Sequence, residues 1–105
     1  MTVSDESLIC DVCQLRTAKG VASMPGVPVS CAYCQVCLDA NAHPYWAVVA
    51  NTVAIDGLGN AAPWWRQLVD DTLGHLGINR ETFETDVLRE LAEREVLLQR
   101  EDREA

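Results

Sequence analysis

The chain is poor in the residues from which most active sites are built. It has two histidines, His43 and His75, in 105 residues. No serine, histidine and aspartate can be placed together as a nucleophilic triad. A nuclease of the His-Asn-His type would need paired histidines around a hairpin and helix, and these are missing. Gly57-Leu-Gly59 lacks the remaining glycine and the lysine of a phosphate-binding loop. Asp70 and Asp71 are neighbours on an expected helix and diverge by about 100°, which makes them a solvated face and not a catalytic dyad.

Long apolar runs are also missing. The longest, Tyr45 to Ala50, falls far short of the roughly 20 residues that span a bilayer. Met1 is followed by Thr-Val-Ser-Asp-Glu, without the positive start and apolar stretch of a secretory leader, so no membrane contact and a cytoplasmic location are expected. Basic residues are scarce: 8 Lys and Arg stand against 16 Asp and Glu, for a net charge of −8. Residues 1–37 carry −1, residues 38–79 carry −3 and residues 80–105 carry −4. An acidic chain repels a phosphate backbone, which disfavours nucleic acid as a partner. The nearly neutral first stretch does hold Arg16 and Lys19. Aromatic residues are few, and five of the six lie between Tyr33 and Trp65, where the bulk of the core is expected.

What the chain does have is cysteine, five residues in the order Cys10-x2-Cys13 and Cys31-x2-Cys34-x2-Cys37. A two-residue gap lets the backbone turn so that both sulfurs face one point, and two such turns supply a tetrahedral Zn²⁺. In a reducing compartment paired thiols point to metal before disulfide, and an odd count fits a disulfide framework poorly. Cys10 and Cys13 have no competitors. The second pair is Cys34/Cys37 or Cys31/Cys34. Alternation along a strand puts Val29, Cys31 and Tyr33 on one face, which favours Cys31 as a small buried residue and Cys34 and Cys37 as ligands. Four protein ligands would close the site to water and substrate, so it would stabilise a fold and do no chemistry. Arg16 and Lys19 are placed either to offset the thiolate charge or as solvated loop residues.

Residues 1–9 read as a loose start. Met24-Pro25-Gly26 is a turn signal between two short strand-like runs, Gly20 to Ser23 and Val27 to Tyr33, with Pro28 limiting the second. Pro44 is suited to a helix start, and the stretch to Ile55 reads as a helix with Trp46, Val49, Ala50 and Val53 on its apolar stripe. Asn60 is expected to cap a further helix with Pro63 in its first turn, Trp65, Leu68, Val69, Thr72, Leu73 and Leu76 inward, and Gly77 at its end. Asn79 caps a last helix from Arg80 to about Arg100, with Phe83, Val87, Leu88, Leu91, Leu97 and Leu98 apolar, Glu90 and Arg94 spaced for ion pairing, and a frayed end. His43 follows Cys37 closely enough to reach a metal but is expected as a capping or surface residue, His75 as a residue near a helix end, and Trp64 and Trp65 as both buried against the zinc module. An exposed Trp64 would instead offer a partner an anchor.

Knuckle, hairpin and a second Cys-x2-Cys running into a helix is the element order of a treble-clef or zinc-ribbon-like zinc finger, and Cys10 to about Ile55 resembles that class. The Tyr33-Cys34-x2-Cys37-Leu38 stretch before Pro44-Tyr45-Trp46 is also similar to short zinc-finger proteins of actinobacteria and their phages, a likeness that implies no activity. The expected fold is α+β: a treble-clef-like zinc module (residues 10–55) followed by two C-terminal helices (residues 60–100) in one domain of residues 1–105. The expected function is that of a non-catalytic, zinc-stabilised intracellular interaction or regulatory protein, possible in a phage. Its metal ligands would be Cys10, Cys13, Cys34 and Cys37, and its partner a protein or a second copy. The alternative is a nucleic-acid-binding or transcription-associated zinc finger with Arg16 and Lys19 on phosphate.

Overall fold

A computed structural model describes residues 8–104, with side chains as far as residue 99; of the expected loose start at residues 1–9, residues 1–7 lie outside the described residues, as does Ala105, while Leu8 and Ile9 are paired with Ala18 and Thr17. Strands β1 (Gly20–Ser23) and β2 (Ser30–Tyr33) form an antiparallel hairpin in which Gly20 pairs with Tyr33 and Ser23 with Ser30. The turn follows from its residues. Gly26 takes φ +76°, the Val27 N–H donates to the Met24 carbonyl at 3.3 Å, and Pro28 holds the second strand back to Ser30. β1 is exposed throughout, whereas Cys31, Ala32 and Tyr33 of β2 are all buried, so the hairpin packs on the rest of the chain through its second strand.

Four helices follow: α1 (Gln35–Asp39), α2 (Tyr45–Ala54), α3 (Pro63–Leu76) and α4 (Arg80–Glu104), with a 3-10 turn at Leu58–Asn60 between α2 and α3. This is the expected α+β order of knuckle, hairpin and helices. α1 stops where Asn41 turns left-handed, at φ 55°. α2 starts behind Pro44 and ends where Asp56 (φ 66°) and Gly57 (φ 108°) reverse the chain. α3 has Pro63 at its start and Gly77, at φ 70°, after its last residue. Asn79 Oδ1 accepts the Thr82 N–H at 3.0 Å and so caps α4.

Four local expectations change. Asn60 does not cap α3: its side chain donates to the Ile55 carbonyl, and Ala62 holds the cap position with no side-chain bond. On α2 the buried face is Ala47, Val48, Val49, Thr52 and Val53, while Trp46 is 58% exposed and Ala50 is exposed. The stripe is rotated from the expected one because α2 carries no charged residue to mark its solvent side. Arg94 does not pair with Glu90. Its guanidinium reaches α2, donating to the Val53 carbonyl at 2.9 Å and pairing with Asp56. That satisfies a carbonyl at the end of α2 and places a cation where the helix dipole favours one. Finally, the helical backbone of α4 continues past Arg100 to Glu104.

The core is continuous from the cysteines into the helices, running from Cys10, Cys34 and Cys37 through Tyr33 and Val48 to Leu68, Val69 and Phe83. Two buried threonines tie the layers together. Thr52 Oγ1 donates to the Val48 carbonyl and accepts the Trp65 indole N–H at 3.1 Å. Thr72 Oγ1 accepts the His43 backbone N–H at 3.1 Å. Both hydroxyls are therefore satisfied inside an apolar layer, which removes the cost of burying them.

Candidate metal centre

The first knuckle is a loop held by its own backbone. The Gln14 N–H donates to the Cys10 carbonyl and the Cys10 N–H to the Arg16 carbonyl, both at 2.9 Å, with Gln14 left-handed at φ 58°. Asp11 locks the loop to β2: its N–H donates to the Ala32 carbonyl at 2.8 Å, and its Oδ2 accepts the Ala32 N–H at 2.7 Å. The second knuckle comes from the strand-to-helix passage. Cys34 keeps an extended backbone as the residue before α1, and Cys37 lies one turn on, inside the helix.

These two loops bring the sulfurs of Cys10, Cys13, Cys34 and Cys37 within 4.8 Å of one another. Cys13 Sγ and Cys34 Sγ are 3.9 Å apart. A tetrahedral ion with metal–sulfur bonds of about 2.3 Å needs sulfurs about 3.8 Å apart, so the donor set fits one four-coordinate ion. All five thiols are free. Cys31 stands outside the group, 2% exposed on β2. Burial, and then the nearby Asp11 charge, raise its thiol above the usual range.

The four thiols are electrostatically unequal. Burial acts to raise Cys13, but the Leu15 and Arg16 backbone N–H groups and neighbouring thiols outweigh it and bring Cys13 down to about 6. Cys34 is lowered in the same way: burial opposes, and the Cys37 N–H and the Cys37 and Cys10 thiols prevail. Cys37 moves up, driven first by burial and then by Cys34, Cys10 and Cys13. Backbone donors thus favour thiolate at Cys13 and Cys34.

Two cationic or donor groups flank the sulfurs. Arg16 Nη1 is 3.8 Å from Cys13 Sγ. Lys19, also considered for this part, turns away to donate to Gln35 Oε1. The other neighbour is His75, whose Nε2 lies 3.4 Å from Cys37 Sγ. Spacing among the cysteines says nothing about it, yet the helical repeat of α3 does: His75 falls one turn after Thr72 and two after Leu68, both buried. With Cys37 ionised, Nε2–H is the donor.

The remaining candidates lie elsewhere. His43 is neither a surface cap nor a member of the sulfur group. It is 7% exposed, its Nδ1 shares a 2.7 Å hydrogen bond with the Tyr33 hydroxyl, and its Nε2 has no partner. Asp70 pairs with Arg80, and Asp71 accepts from Asn41 and Gln67, as suits a solvated face. Of the tryptophan pair only Trp65 is buried, at 4%. Trp64 is 52% exposed and lies over Gly26 of the hairpin turn. The reason is local: adjacent helical residues point about 100° apart, and Trp65 takes the inward direction.

No protein family, curated protein or solved structure matches the chain.

Proposed function

We propose that Cys10, Cys13, Cys34 and Cys37 hold a structural Zn²⁺, and that the chain is a non-catalytic interaction or regulatory module working inside a cell, the host cell in the case that the chain is phage-encoded. One observation carries this reading: four thiol sulfurs from two knuckles lie within 4.8 Å of one another. Four such ligands complete a tetrahedron and leave no position for water or substrate. Zinc in such a site contributes folding free energy on the order of 10 kcal/mol in peptide models. That would be a large share of the stability of a 105-residue chain.

Exposed apolar surface supports interaction as the role. Trp46, Trp64 and Leu88 are each more than half exposed. Trp64 also borders a cavity of about 370 Å³ with Gly26, Val27, Ile55 and Trp65. The charge of −8 supports a protein partner over nucleic acid, and Arg16 and Lys19 are both engaged within the chain. The test is metal removal. A zinc chelator should abolish the cooperative thermal transition followed by circular dichroism, and added Zn²⁺ should restore it. An unchanged transition in metal-free protein would refute a structural zinc.

A further inference from the structure

Among the described residues, helix α4 meets the rest of the chain with one face. Phe83 and Val87 are buried, and Arg94 is tied to Val53 and Asp56. The opposite face, followed at the helical repeat, carries Thr85, Leu88, Ala92, Val96 and Gln99, all exposed. Leu88 is 66% exposed and Val96 50%. At Ala92 this face sinks into a shallow depression of about 500 Å³, lined by Arg89, Ala92, Glu93, Val96 and Leu97. Small side chains at such a place let a second helix approach closely, within the usual spacing of about 8–10 Å.

The order of charges along α4 says which helix fits. Ala92 is the midpoint of Arg80–Glu104. Counting outward from it, Arg89 stands as far on one side as Glu95 on the other. The same holds for Glu90 and Arg94, Glu84 and Arg100, Glu81 and Arg103, and Arg80 and Glu104. Every equidistant pair of charged residues has opposite signs, and none has like signs. Leu88 likewise mirrors Val96, and Thr85 mirrors Gln99. A helix face complementary to itself when reversed is what a two-fold antiparallel pair requires, since each residue on the outward face then meets its mirror position in the partner; Glu90 and Arg94, on the side turned to the chain, take no part. A parallel pair would set Arg89 against Arg89 and Glu95 against Glu95.

We propose that the partner of this module is a second copy of the chain, docked through the outward face of α4 in an antiparallel pair centred on Ala92. This rests on the interaction reading above and names its partner. Leu88 would pack against Val96 of the other copy, and Arg89 would face Glu95 across the two-fold. α2 packs against the opposite face of α4, the one carrying Phe83 and Val87, so it leaves the Ala92 face open to a second copy.

The test is sedimentation velocity on the zinc-loaded chain over a concentration series, with zinc content read in the same samples. The wild type should show a monomer–dimer equilibrium, and Ala92→Glu should abolish it. Arg89→Glu and Glu95→Arg each create two like-charge contacts and should each raise the dissociation constant roughly tenfold. An equimolar mixture of those two variants should recover association as a heterodimer, because both contacts are again of opposite sign. A zinc-loaded wild type that stays monomeric overturns self-association and leaves the zinc reading standing. A dimer indifferent to Ala92→Glu, or a mixture that does not recover, overturns the α4 interface.

Discussion

His75 Nε2 lies 3.4 Å from Cys37 Sγ and so connects the last turn of α3 to the cysteine cluster across 38 residues of sequence. A hydrogen bond from outside the ligand set lowers the electron density on its sulfur and fixes the sulfur's position. In the zinc reading, His75 therefore helps join the helical part of the chain to the metal. His75→Ala should weaken zinc binding by about tenfold or more, measured by competition with a chromogenic chelator. Unchanged affinity would make the contact incidental.

Cys31 and Cys37 are both buried cysteines but are expected to respond differently to removal. Cys31→Ala takes a small thiol from a packed strand and should cost about 1 kcal/mol while zinc stays at one per chain. Cys37→Ala should lose the metal or leave the chain unfolded. Zinc analysis of the two purified variants decides between them. Retention in Cys37→Ala with loss in Cys31→Ala would reverse the ligand assignment.

Gly26 is constrained twice, by its φ of +76° and by Trp64, whose ring stands 2.5 Å from where a Cβ would be. The left-handed backbone alone costs an alanine about 1–2 kcal/mol, and the ring contact adds to it. Gly26→Ala should thus lower stability by about 2–3 kcal/mol. In a Trp64→Ala background the same change should cost only the backbone part. Denaturant unfolding of the four proteins in this cycle gives the coupling between turn and tryptophan.

Burial lowers the pKa of His43 below its ordinary 6.5, so the folded chain holds this ring neutral. As pH falls below about 6.5 the unfolded chain takes up a proton that the folded chain does not, and stability drops until the folded-state value is passed. Above that range the ring has no effect on the pH dependence. His43→Gln should flatten this acid limb relative to wild type in unfolding experiments at matched zinc. Cysteine protonation weakens both proteins alike, so the difference between them isolates His43. Parallel curves would show that the ring titrates normally.

Much of this architecture is legible because local chemistry sets it. Pro28 delays β2, Pro63 opens α3, Gly77 closes it and Asn79 caps α4, each through a backbone preference that acts within a few residues. The two Cys-x2-Cys turns belong with these. What stays hidden depends on partners far along the chain. His43 is buried by Tyr33 and Thr72, and Arg94 is drawn from Glu90 by Asp56, 38 residues away. The uncharged α2 gives periodicity no polar side to mark, so its inward face is fixed only by what packs there. His75 had a helical signal, but its sulfur neighbour lies on another element.

The central claim is a closed four-sulfur zinc site, and X-ray absorption at the zinc edge of the purified chain tests it most directly. The expected result is one zinc per chain with four sulfur neighbours at about 2.3 Å and no light-atom ligand. A first shell containing nitrogen or oxygen, or protein purified in folded form without bound metal, would contradict it.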